Sequence, residues 1–184
     1  MTHPRLRELE TFLDERRAEL RAAVDAVPPA LRRRRPAPDC WSTAEVLEHL
    51  ATLEGAVARL VAGGVEDARA SGVAETEVSS VRPRLDADAM RDRSRGIQAP
   101  DRLLPRGELD DAAAWAAVER ARATLLAALA GGDGLALGAV TRPHPLFGPL
   151  DLYQWVLAVG GHEARHAGQI RDIADALGTH AAQR

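Results

Sequence analysis

Six histidines punctuate the 184-residue chain, and two of them, His162 and His166, stand four residues apart in the segment GGHEARHAGQI. On a helix that spacing puts both imidazoles on one face, about 6 Å apart along the axis, so each can give one ring nitrogen to a single metal ion. Leu152, Trp155, Val159, His162, His166, Gln169, Ile173 and Leu177 follow one another at steps of three and four. The pair therefore falls in the middle of an inward stripe, where polar groups must find partners. Two ligands rarely suffice, and His49 is the natural third, because it borders the apolar stripe of an earlier helix about one turn beyond its start. A lone histidine at such a place would be read as a satisfied core residue. Three converging on one level, with no inward acid nearby to neutralise them, are the donor set expected for a dication.

The string HEARH also fits the H-E-x-x-H pattern, in which two histidines bind zinc and the glutamate, here Glu163, activates water. The extended form of that motif needs glycine at 169 and histidine at 172, whereas this chain has Gln169 and Asp172, and no glutamate follows His166. A metallohydrolase is accordingly the least favoured reading, and Glu163 is assigned to the rim of the site or to a position behind a ligand. Gln169, one turn beyond His166, is placed to hydrogen-bond a ligand imidazole or to bridge neighbouring helices. His144, between Pro143 and Pro145, is a further candidate for the rim of the site or a position behind a ligand, with a loop anchor as the favoured role, and Trp41, Trp115, Trp155 and Tyr153 are read as packing or staple residues. His3 and His180 are read as solvated.

One cysteine, Cys40, rules out an internal disulfide and a cysteine-rich zinc ribbon, so a metal site must use histidine and carboxylates. All positive side chains are arginine, yet the net charge is −3, so no overall basic field favours nucleic acid. Arg32 to Arg35 are expected to form a solvated connector. No stretch approaches the roughly 20 apolar residues of a membrane span, and the opening MTHPRLRELE is charged where a signal peptide is apolar. No nucleic acid, no membrane and a cytoplasmic location are the expectations.

The elements that must position the histidines are legible as helices. Leu6, Leu9, Leu13, Leu20 and Val24 mark an amphipathic helix over residues 4–27, ended by Pro28-Pro29. In WSTAEV, Ser42 and Glu45 make a capping box and Trp41 and Val46 a hydrophobic staple, and the helix they open is expected to end at Gly63-Gly64. Residues 63–107 read as a long connection with a short helix near Asp86 to Arg95. A third helix spans Asp110 to Ala130, a loop passes Pro143, Pro145 and Gly148, and Asp151 with Gln154 caps a last helix running to about Leu177. Four such helices in 184 residues predict a single all-α domain, a four-helix bundle over residues 1–184.

Taken in order, WSTAEVLEHLATLE, HPLFGPLDLYQW and GGHEARHAGQI resemble the DinB/YfiT-like metalloenzymes, a damage-inducible helical family distinct from the DNA polymerase that shares the name. The resemblance spans essentially the whole chain and is weakest over 63–107. It implies a four-helix bundle, often dimeric, that holds a divalent ion, typically nickel or zinc, on three histidines, matched in position by His49, His162 and His166. His144 matches a histidine common in the family. Some relatives are S-transferases or isomerases that use mycothiol, bacillithiol or glutathione, which implies a thiol-dependent reaction on a small-molecule substrate here, with a homodimer as the expected assembly. Many members have no known reaction, so a non-catalytic, stress-linked metal-binding module is the alternative.

Overall fold

A computed structural model describes residues 2–94, 96 and 98–178. Helix α1 spans Pro4–Asp25, α2 Thr43–Ser71, α3 Asp111–Ala130 and α4 Leu152–Ala176. Each start is set by side-chain chemistry. Ser42 and Glu45 close a reciprocal capping box at α2, and Asp151 and Gln154 close another at α4, each bonding the other's backbone N–H. Asp110 accepts from the Ala113 N–H at α3. At α1 the cap is His3, whose Nδ1 accepts from the Arg5 N–H at 3.3 Å, so this histidine is not the free terminal residue expected. His180 lies outside the described residues.

The expected stop at Gly63-Gly64 is wrong: α2 continues two turns further and ends at Gly72, whose positive φ of 67° forms the left-handed cap. Gly64 is kept helical by tertiary packing, since a Cβ there would stand 2.7 Å from a Leu152 methyl. Beyond it Val65 and Ala68 continue the buried stripe, which outweighs the cost of about 1 kcal/mol that glycine carries in a helix. The connection to α3 thus begins at Gly72 rather than residue 63. The helical structure of its described residues is limited to short 3-10 turns, at Arg82–Arg84, Ala89–Arg91 and Asp101–Leu103, where a short helix near Asp86 to Arg95 is expected, Arg95 itself lying outside the described residues. It is strapped to the bundle by ion pairs, among them Arg5–Glu75, Arg91–Glu19 and Arg84–Asp151. Before α4 the expected loop is a hairpin, with strand β1 (Thr141–His144) antiparallel to β2 (Gly148–Asp151) and His144 opposite Gly148.

The bundle core is divided in two. One apolar cluster takes Leu6 to Leu13 from α1, Val57 to Ala68 from α2, Leu125 and Leu129 from α3, and Leu152 to Val159 from α4. The other takes Leu20 to Val27, Ala44 to Leu50, Ala114 to Val118 and Ala167 to Ala174. Between them each helix contributes one charge: Arg17, Glu54, Arg122 and Glu163. Arg17 reaches Glu163 at 2.5 Å and Glu54 at 3.1 Å, and Arg122 reaches Glu54 at 2.5 Å and Glu163 at 2.6 Å. Both oxygens of both glutamates are used, and Arg122 also donates to the Leu13 carbonyl at 2.9 Å. Glu163 is therefore not at a rim. Its side chain is 3% exposed and turned toward α1 and α3.

Removing one member of a buried charge set leaves its partners uncompensated. Arg122→Met is expected to cost about 3–5 kcal/mol in urea unfolding, and Arg122→Met with Glu54→Leu to recover part of that loss. Equal losses in the single and double variants would remove the charge explanation.

Candidate metal centre

His49 projects from the second turn of α2, where the capping box fixes the helix start, and His162 and His166 project one turn apart from α4. One ring nitrogen from each lies within 4.8 Å of the other two. The ring centroids of His49 and His162 are 5.2 Å apart, those of His49 and His166 4.8 Å, and those of His162 and His166 4.4 Å. The three residues predicted as ligands are thus brought together.

Their tautomers follow from their partners. His49 Nδ1 is 2.7 Å from the Leu103 carbonyl, which can only accept, so Nδ1 carries the proton and Nε2 keeps its lone pair. His166 Nδ1 donates in the same way to Gln169 Oε1 at 2.7 Å. His49 Nε2 faces His162 Nε2 at 3.0 Å. Two nitrogens bound to one tetrahedral zinc, each at about 2.0–2.1 Å, sit about 3.3 Å apart, so small side-chain adjustments suffice for shared coordination. An outer acceptor behind each ligand is the arrangement that fixes ring orientation at metal sites.

Burial depresses all three basicities. It lowers His49, takes His166 down to about 3, and with the two neighbouring imidazoles holds His162 well below the ordinary value. At neutral pH the trio is uncharged and each residue has a lone pair to give.

Trp41 forms one wall, its ring 5.0 Å from His49 and stacked on His166 at 6.4 Å. It also packs against the apolar cluster that holds Val46, so the staple residue and the wall are one. The signal was present in the sequence, because Val46 and His49 are three apart and share a helix face. Leu103, whose main chain orients His49, left no such trace. Cys40 is exposed, with a free thiol.

The remaining candidates lie apart. His144 packs its ring 4.7 Å from Trp155 and 4.8 Å from Phe147, and its Nδ1 accepts from the Leu146 N–H at 3.1 Å across the hairpin turn. Glu163, with both oxygens held by Arg17 and Arg122, is not free to activate water, which removes the structural basis for the H-E-x-x-H hydrolase reading. In the connector before α2, Arg33, Arg34 and Arg35 are exposed as expected, Arg35 with its guanidinium on Glu45, whereas Arg32 is half-buried and binds Asp111 at 2.8 Å. Among the described residues no helix is long and apolar enough to cross a membrane.

A four-helix bundle with three neutral imidazoles gathered between α2 and α4 defines the class as a helical protein whose histidine cluster could hold a metal ion. The DinB superfamily profile matches residues 13–170, and the chain belongs to that superfamily. It is also similar to "Uncharacterized protein YuaE" of Bacillus subtilis (strain 168), 26% identical over 144 residues, which cover 78% of this chain and 83% of that protein. No solved structure matches.

Two outcomes are expected. In metal-free protein the unfolded chain takes up protons below pH 6.5 that the folded histidines refuse. Stability therefore falls as pH drops from 7 to 5, by up to about 1.4 kcal/mol per pH unit for each histidine. Thermal melts at each pH check this, and the slope flattens in His166→Asn. Gln169→Leu, which deprives His166 of its acceptor, weakens zinc binding about 10–100-fold in a competition titration, whereas Gln169→Glu retains tight binding.

Proposed function

We propose that the chain is a divalent-metal-dependent S-transferase, joining a low-molecular-weight thiol to a small electrophilic substrate at His49, His162 and His166, with nickel or zinc as the ion. The observation that carries this reading is the pinning of His49 and His166 through their Nδ1 protons, which turns lone pairs rather than N–H groups toward the shared space. A dication on three uncharged imidazoles retains its full charge and, when bound, draws a coordinated thiol into its thiolate form.

The chain's own residues supply the rest. Leu103 and Gln169 hold two of the rings in orientation, and burial keeps the set unprotonated at neutral pH. Trp41 supplies an apolar wall against which a substrate can exclude water. Glu163 is spent on the core, so it is not the acceptor of the thiol proton, which would pass to solvent. The only cysteine in the sequence, Cys40, lies outside the ligand helices, and the sulfur nucleophile is assigned to a cosubstrate.

The test has two stages. Elemental analysis of purified protein is expected to find about one nickel or zinc per chain, and occupancy is lost in His49→Ala, His162→Ala and His166→Ala. Metal-loaded protein is then assayed with mycothiol, bacillithiol and glutathione against a haloarene or an epoxide. Turnover with one thiol, abolished in His162→Ala, is the expected result. Full occupancy with no turnover for any thiol would overturn the transferase and leave the non-catalytic metal-binding module as the function of the same centre.

A further inference from the structure

The protein spends its arginines on carboxylates. Arg5, Arg17, Arg32, Arg84, Arg91 and Arg122 each hold at least one. Arg102, Arg106 and Arg120 are different. No carboxylate lies within ion-pair distance of them among the described residues, and all three line one cavity of about 410 Å³ between α2, α3 and the end of the long connection. That volume falls in the range of small-molecule sites.

The acids in its wall do not satisfy these cations. Glu48 spends one oxygen on the Arg106 N–H and the other on the Gly107 N–H, both at 2.9 Å, which fastens the connection to α2. Glu108 is exposed and makes no side-chain hydrogen bond or ion pair among the described residues. Three guanidiniums against the two carboxylates Glu48 and Glu108 leave the lining one positive charge in excess, with no ion pair formed between them among the described residues. Guanidinium is the group that matches carboxylate and phosphate oxygens two at a time. The half-exposed Leu104 adds an apolar patch to the same wall.

We propose that this cavity binds a small multivalent anion, a polycarboxylate or a phosphate ester, held by Arg102, Arg106 and Arg120. The site does not depend on the transferase reading. It lies beside that centre all the same, because Arg102 and Leu104 flank Leu103, whose carbonyl pins His49. The concavity and the chain's net charge of −3 favour a small anion over a nucleic acid.

Calorimetric titration of the full-length, zinc-loaded protein with citrate and with inorganic pyrophosphate tests it. At low salt at least one anion is expected to saturate with a dissociation constant below about 1 mM. The affinity is expected to fall about tenfold or more in Arg102→Gln/Arg120→Gln, a surface pair whose loss leaves the melting temperature near that of the parent. Citrate alone assigns carboxylates, pyrophosphate alone assigns phosphates, and both together assign charge as the criterion. Arg7→Gln/Arg59→Gln removes two other arginines for which no carboxylate partner is found and should leave binding within about twofold. No saturation by either anion, or an equal loss in that control, would overturn the site.

Discussion

Everything in this bundle is arranged around the alternation of Arg17, Glu54, Arg122 and Glu163 across its waist. One charge comes from each helix, and opposite signs meet at every contact. Sliding any one helix by a turn would leave two buried carboxylates sharing one guanidinium, or two guanidiniums sharing one carboxylate, and would bury the displaced charge unpaired, which is costly. Apolar packing alone tolerates such slips far better. The layer therefore specifies which helices are neighbours and at what height, and the histidines inherit that precision. Glu163 is the residue next to His162, so fixing the carboxylate also fixes the imidazole.

The metal centre depends on a second, lighter constraint. Imidazoles in a dry core are neutral, but neutrality leaves open which nitrogen carries the proton. The Leu103 carbonyl and the Gln169 amide settle it for two of the three rings. One of these acceptors comes from the same helix, three residues on, while the other comes from a segment more than fifty residues away in the chain. The long connection is thus part of the site even though none of its side chains is a ligand.

How much of this could be read from the residues follows from the range of each interaction. Ser42 with Glu45, Asp151 with Gln154, and His162 with His166 act within one helical turn, so their spacing declares them, and the helix starts and ligand pair were legible. Convergence of His49 onto that pair was legible because its helix start was fixed. The charge layer was not, since Arg17, Glu54 and Arg122 look like solvated residues until the helices are set side by side. Gly63-Gly64 misled for a related reason: a glycine that admits the side chain of Leu152 has the same local signature as one that ends a helix. The hairpin was obscured by Pro143 and Pro149, which face each other in its register and withhold the amide protons that strands normally advertise.

The division of the apolar core by a polar waist also has a mechanical meaning. The half that holds Leu47, Leu50 and Ile170 also encloses the turns that carry His49 and His166. His162 stands at the seam, beside the charged layer. The donor set therefore straddles the boundary between the two apolar clusters. An ion shared by these nitrogens would act as a rivet between the two halves.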